Sequence, residues 1–454
     1  MIHNVSYWEI PSYIDLEGFL EKYPPDFKYK IDHFYFIIEY LAKGMEQGDL
    51  DQNLGFVNTS SVKLQSRIKN YNQYLNHMLE HRFIRTDMEY IPGLKSKGYL
   101  ISGKNYDTIT INLIPINSSV ARRNRVKENK ERIAKNKRTE KKYPYLTRWF
   151  NDKLKIDSRS AKLRLNELFP VQKGGIKGTV KGKPSRYAKR IKAIYAIEKF
   201  ENKNFYYSVD DNVGRFHSNL TNIKKELRNY ITYDGKRLVN IDIKNSQPFF
   251  STLLFNPAFY KEKSEIINIY KIPSLIILYS SFSSFSSIII MLGKTLESTD
   301  YELYMEYIEM VNSGDFYKLL HAKIYAELPY DKGKLKEIIF IVFFSNNRFI
   351  GQPEAQKKRD FREVFPDVYK LFALIKKKNH RALAHLLQRI ESNIIIERVT
   401  KRISVEKPEL PIFTIHDSVV TIQGSENYVS RIIEEEIKKA TSLDVKLGLE
   451  FWNP

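Results

Sequence analysis

Two strongly apolar segments of this chain run straight into an aspartate. The first is Leu238-Val239-Asn240-Ile241-Asp242, continued by Ile243-Lys244-Asn245-Ser246-Gln247-Pro248-Phe249-Phe250. The second is Ile412-Phe413-Thr414-Ile415-His416-Asp417, continued by Ser418-Val419-Val420-Thr421-Ile422. Runs rich in β-branched and aromatic residues read as strands, and the second, apolar on both sides of His416-Asp417, reads as a hairpin with the acid at its tip. An ionised carboxylate at the end of a buried strand is costly unless positive charge meets it. Singly, each aspartate is better read as a turn cap. Brought side by side in one sheet, the two would form a hard-oxygen site that suits two divalent ions, Mg2+ or Mn2+, and ions held this way stabilise the attacking and leaving oxygens of a phosphoryl displacement.

Charge narrows the partner. The chain of 454 residues carries 74 Lys and Arg against 53 Asp and Glu, a net of +21, and the excess is local. Residues 122–142 hold eleven Lys/Arg and three Glu, and residues 171–192 hold eight Lys/Arg and no acid. Cations concentrated in this way neutralise phosphates and release their counterions, which points to nucleic acid. In the second tract Lys177, Lys181, Lys183, Arg186, Lys189 and Arg190 are the candidate contacts, interleaved with Gly174, Gly175, Gly178, Gly182 and Tyr187. The spacing is not that of an ATP-binding Walker loop. The absence of cysteine excludes disulfides, a thiol nucleophile and thiolate metal sites. The first twenty residues show no basic start followed by an apolar run, so no secretory signal is read and a cytoplasmic location is expected. Residues 272–293 are uncharged, but seven serines interrupt them, and a serine-rich insertion is expected there rather than a membrane span.

The length exceeds one compact core and predicts two or three domains. Phe34, Ile37, Ile38 and Leu41 recur at helical spacing, and a second helix is predicted after Thr59-Ser60-Ser61, with Leu64, Ile68, Tyr71, Leu75, Met78 and Leu79 on one face. Phe83-Ile84-Arg85 and Gly98-Tyr99-Leu100-Ile101 then read as strands joined by a turn at Pro92-Gly93, beside Lys95 and Lys97. Helices followed by a ribbon with a basic tip make a winged-helix-like unit over residues 1–118, either a DNA-binding module or a protein-interaction platform. Residues 119–142 follow as a basic connector or long exposed helix. Residues 143–204 read as helical and basic, on Leu146, Trp149, Phe150, Leu154, Leu163, Leu165 and Leu168, and residues 205–454 as alternating strands and helices.

In this last region the sequence resembles the family A polymerases, the superfamily of DNA polymerase I and of the single-subunit phage and mitochondrial RNA polymerases. Ile241-Asp242 with Ser246-Gln247 is similar to their motif A. Ile415-His416-Asp417-Ser418 is similar to motif C, His-Asp-Glu in most of the DNA enzymes and His-Asp-Ser in phage RNA polymerases. Lys332, Lys336, Phe340, Phe344 and Ser345 follow the motif B register, and spacings of four put the first four on one helix face. The stretch Gly214-Arg215-Phe216-His217-Ser218-Asn219-Leu220-Thr221-Asn222-Ile223 resembles the segment that touches the primer terminus and template.

The resemblance implies an α+β right-hand polymerase with palm, fingers and a reduced thumb, preceded by the winged-helix-like unit. It implies that Asp242 and Asp417 hold two metals, that Lys336, assisted by Lys332, neutralises the triphosphate, and that Phe344 and Phe340 lie at the nascent base pair and sugar, with Gln247 nearby. Arg215, His217, Asn222, Gln388 and His416 are implied to contact primer and template. Departures are Lys332 in place of the usual Arg, Phe344 in place of Tyr, and no steric-gate glutamate in motif A. The implied activity is template-directed DNA synthesis on a primer without proofreading, with DNA primer-template, nucleoside triphosphates and other replication proteins as partners. RNA synthesis, priming or template-independent nucleotidyl transfer is the nearest alternative. A catalytically inactive winged-helix replication initiator is the alternative of a different class.

Overall fold

The computed structural model describes residues 6–47, 56–90, 96–102, 110–170, 186–272 and 302–454. Strand β1 (Tyr7–Pro11) pairs antiparallel with β5 (Ile111–Pro115), Tyr7 opposite Pro115, which closes the two ends of the N-terminal unit on each other. Between them helix α1 (Ile31–Gln47) buries Phe34, Ile37, Ile38 and Leu41 at the predicted spacing. The second predicted helix is two. Helix α2 (Ser61–Arg67), capped by the Ser60 side chain on the Lys63 amide at 3.2 Å, ends where Ile68 turns extended at φ −136° and ψ 106°. Helix α3 (Tyr71–Glu80) then starts afresh from Asn70. Leu64, Ile68, Leu75 and Met78 all stay buried, so the apolar face continues across a break in the backbone. Strands β2 (Val57–Asn58), β3 (Ile84–Thr86) and β4 (Gly98–Ile101) form an antiparallel sheet in the order β2-β4-β3.

Residues 119–142 are helix α4 (Ser119–Lys142), 24 residues and about 36 Å long. It has no apolar stripe; Thr139 is its only buried residue. Polar side chains dock it instead. Arg125 pairs with Glu39 and lies over the Trp8 ring at 5.1 Å, and near the far end Asn136 bonds the Phe205 carbonyl and the Tyr207 amide, each at 3.2 Å.

The stretch predicted as helical after residue 143 contains a strand, β6 (Leu154–Ile156). The helical spacing through Leu154 fails because the Asn151 side chain accepts from the Lys153 amide at 2.9 Å and turns the chain. Helices α5 (Ser158–Leu168) and α6 (Arg186–Glu201) follow, and α6 packs between α5 and α1. A two-stranded hairpin, β7 (Tyr207–Val209) and β8 (Phe216–Ser218), precedes the main sheet. That sheet, among the described residues, runs β11-β12-β10-β9-β6 with β13 also on β10, using β9 (Ile231–Tyr233), β10 (Lys236–Ile243), β11 (Ile412–Ile415), β12 (Ser418–Ile422) and β13 (Leu447–Phe451).

The predicted alternation of strands and helices does not hold between β10 and β11, where the described residues contain no strand. Helix α7 (Ser246–Ser251) leaves β10 directly. It is followed by α8 (Glu302–Asn312), α9 (Phe316–Ile324), α10 (Lys332–Phe344), α11 (Gln356–Val364), α12 (Pro366–Ile375) and α13 (Ala382–Ser392), which runs on into the π-helical turns Asn393–Thr400. Tyr307 centres this helical block, with the rings of Phe255, Phe316, Phe365 and Phe372 within 6.3 Å of its own. Helix α14 (Glu426–Thr441) covers the sheet after the hairpin. The mixed helix and strand content agrees with the α+β expectation. No described helix is long and apolar enough to cross a membrane, and most of residues 272–293 lie outside the described residues.

Candidate functional site

The two aspartates meet through strand register. Strand β12 pairs antiparallel with β10, setting Asp242 opposite Ser418, and Asp417 is the residue before Ser418 at the hairpin tip. His416 and Asp417 are the two turn residues between the paired Ile415 and Ser418. His416 takes a positive φ of 55°, as a tight hairpin turn demands, although it is not glycine. The Ser418 hydroxyl closes the turn by donating to the Ile415 carbonyl at 2.8 Å.

Burial, and then the neighbouring Asp417, pushes the Asp242 carboxyl up to about 7; Lys336 pulls it back, and Glu450 on β13 adds to the push. Two carboxyls that repel one another, with hard oxygen donors and only Lys336 and, more weakly, Lys225 opposing them, fit a site that takes up divalent cations. Among the described residues no group of three or more His, Cys, Asp or Glu side chains is gathered closely enough to hold an ion, so Asp242 and Asp417 alone are the protein carboxylates that this fit rests on.

Helix α10 carries the predicted lysine–phenylalanine face over its whole length. Asp331 caps its start, accepting from the Gly333 amide at 2.8 Å. Lys336 is exposed and its charge reaches Asp242, while Lys332 lies 5.8 Å over the ring of Tyr317. Phe340 and Phe344 stack at 4.7 Å, with Phe340 61% exposed. An exposed Phe340 backed by a half-buried Phe344, one turn beyond a lysine, offers a planar apolar surface next to a cation.

Sequence reasoning missed Glu391. On α13, with 0% exposure, it accepts from Arg215 Nε at 2.9 Å and Nη2 at 2.6 Å, and from Gln247 Nε2 at 2.5 Å. Burial pushes its carboxyl up to about 7 against the pull of Arg215, and Asp417 adds to the rise. Three elements are tied at this point: α13, α7, and the β7–β8 hairpin, whose turn is set by Asp210 accepting from Val213 N at 2.8 Å and by Gly214 at φ 72°. The available signal was an acid at the end of an otherwise apolar helical face, in Leu386-Leu387-Gln388-Arg389-Ile390-Glu391. Arg215 and Gln247, expected to face primer and nucleotide, spend their hydrogen bonds on Glu391.

The other predicted residues separate into those near the aspartates and those away from them. The His217 ring lies 6.2 Å from that of His416, and burial holds both below the ordinary imidazole value, His416 further through Arg215, so both are neutral near pH 7. Gln388 is half-buried on α13, beside Arg389, which donates to the Asp211 carbonyl at 3.2 Å. Asn222 is exposed and donates to the Tyr206 hydroxyl. Lys189 is exposed on α6. Arg190 departs from its predicted role: it is 4% exposed and bonds the Phe169 carbonyl at 3.3 Å and Asn166 Oδ1 at 2.6 Å, because its place on α6 faces α5. Lys177, Lys181 and Lys183 lie outside the described residues, as does the Arg186 side chain.

Neither a protein-family profile nor any curated protein matches the chain. Among solved structures it is similar to the POL domain of Pol1 from M. smegmatis, solved in complex with DNA primer-template and dNTP. The TM-score is 0.39 at 10% identity, over 68% of this chain and 69% of that one. A likeness this distant carries no functional argument.

Proposed function

We propose that the chain is a nucleic-acid polymerase that adds deoxynucleotides to a primer 3′ end on a DNA template. The observation that supports this most is the sheet register that sets Asp242 beside Asp417, with Lys336 of α10 acting on the pair. In this reading the main sheet is the palm, the helical block carrying α10 the fingers, α5 and α6 a reduced thumb, and residues 1–118 a winged-helix-like addition.

Asp242 and Asp417 would hold two magnesium or manganese ions, which supply charge stabilisation to the attacking 3′ oxygen and the leaving pyrophosphate when bound. The chain's own residues do the rest. Lys336 and Lys332 meet the negative charge of the triphosphate as point charges on one helix face. Phe344 and Phe340 offer the stacking surface for the incoming base. Neutral His416 and His217 line the approach to Asp417, where they can hydrogen-bond the primer end without competing for positive charge. Glu391 positions Gln247 and Arg215, so the side of the site nearest the sugar is built by a triad around a buried carboxyl rather than by a free glutamate gate.

Primer extension tests the proposal. The full chain with magnesium is given a labelled primer, with and without template, and dNTPs and NTPs in parallel. Extension by dNTPs on template, lost in Asp417→Ala, is the expected result. Extension by NTPs alone would move the assignment to the RNA enzymes of the same fold, and extension without template to a tailing activity. Duplex binding with no extension under any condition would favour the inactive initiator.

A further inference from the structure

The N-terminal unit has a helix face that the proposed polymerization does not use. Helix α3 buries Tyr74, Leu75, His77 and Met78 against the unit's core and turns Asn72, Gln73 and Asn76 to solvent. These three amides make no side-chain hydrogen bond within the described residues. They stand at positions i, i+1 and i+4, so they share one side of the helix. Helix α3 itself carries no large exposed apolar side chain of the kind a protein partner uses as an anchor; the nearest in sequence, Val62, Met88 and Tyr90, stand on α2 and after β3. Exposed cations flank it instead: Lys69 just before the helix, Arg82 just after it and Arg85 in β3, with Glu80 the exposed acid at its C-terminal end.

We infer that α3 reads the major groove of double-stranded DNA through Asn72, Gln73 and Asn76, favouring sites with adenine at the positions these amides meet. A carboxamide presents a donor and an acceptor side by side, the complement of adenine N6 and N7 at the major-groove edge. A ten-residue helix is about 15 Å long and enters a groove about 12 Å wide. The anchoring is rigid, because α2 and α3 are separate helices fixed by a buried Ile68 at their junction, and the Tyr74 hydroxyl accepts from the Lys30 amide at 3.2 Å on the inner side. Sequence-independent attraction comes from the chain's own excess charge, including exposed Arg122, Arg123, Lys127 and Lys130 on α4.

Selection from a random duplex library tests it, using the full chain in chelator and without nucleotides, so that the outcome is independent of primer extension. The wild-type protein is expected to enrich a short adenine-containing motif. Asn72→Ala, Gln73→Ala and Asn76→Ala should each relax one position of it by about tenfold, with affinity for random duplex changed less than about twofold. Their thermal midpoints should match the wild type, since all three side chains are exposed. The inference is overturned if the wild type enriches no motif, if the triple variant enriches the same motif, or if duplex RNA competes as well as duplex DNA.

Discussion

Burial and the adjacent Asp417 leave the Asp242 carboxyl near 7 instead of its ordinary 3.8. Between those values the folded chain keeps a proton that the unfolded chain has released, so stability falls as pH rises through that window and stays low above 7. Asparagine has no such penalty. Asp242→Asn is therefore expected to be more stable than the wild type at pH 8, by at most about 4 kcal/mol, and equal to it near pH 4, while losing extension. Denaturant melts in chelator at the two pH values check this, and equal stabilities at pH 8 would remove the electrostatic reading of the pair. Glu391 is raised to about 7 as well, so its titration slopes the same way, but it has partners to lose. Glu391→Ala strands the Arg215 guanidinium and should cost about 3–5 kcal/mol. Glu391→Gln keeps an oxygen for Arg215 and should cost clearly less. If the alanine variant melts with the glutamine variant, the triad does not hold these elements together.

Helix α10 shows how an element can hold a functional face steady from behind. Carbonyls at a helix C-terminus lack helical partners, and here one buried lysine supplies that of Val342 while a second holds the residues just beyond the helix. Lys376, 2% exposed, donates to the Val342 and Ser345 carbonyls; Lys358, 0% exposed, donates to the Ser345 hydroxyl at 2.9 Å and the Asn346 carbonyl at 2.8 Å. Burial pushes Lys376 down to about 7, with Lys358 adding to the fall. The unfolded chain then holds the extra proton between about 7 and the ordinary 10.5, so this lysine's contribution to stability grows with pH across that range. The stability of the wild type relative to Lys376→Met should increase from pH 7 to pH 10, measured as paired urea melts; a constant difference would mean that the lysine stays charged. Helix α10 was legible through the resemblance to motif B, in whose register Lys332, Lys336, Phe340 and Phe344 recur every fourth residue, and the hairpin was legible from the residues themselves, because apolar runs flank His416-Asp417 on both sides. The break between α2 and α3 was not, because Leu64, Ile68 and Leu75 continue one apolar face across it and periodicity is blind to a single extended residue. Strand β6 was hidden for a related reason: a three-residue strand is too short to show a period of its own. Glu391 was hidden because a buried acid is recognisable only once its partners, 144 and 176 residues away in sequence, are in place.

At the scale of the whole molecule, the N-terminal unit and the rest are joined by packing as well as by chain. Helix α6 lies between α1 and α5, its Ile191, Ile194, Tyr195 and Ile197 are fully buried, and the Tyr195 hydroxyl donates to the Glu9 carbonyl in β1 at 2.8 Å. Arg125 of α4 adds its ion pair with Glu39 in α1. Composition and charge divide the chain near residue 118, and on that division alone residues 119–454 would extend a primer as well as the full chain does. The packing argues otherwise. Each large side chain returned to water costs about 1.5–3 kcal/mol, and removing residues 1–118 uncovers the α1 side of α6. The truncated chain is expected to melt at least about 5 °C below the full one and to lose extension in parallel with folded protein. Thermal melts and extension assays on the same preparation decide it. Unchanged melting with full extension would make the N-terminal unit an appendage. Loss of both, set against an Asn72→Ala, Gln73→Ala, Asn76→Ala variant that loses only sequence selection, would make one side of the unit part of the core and the other its reading face.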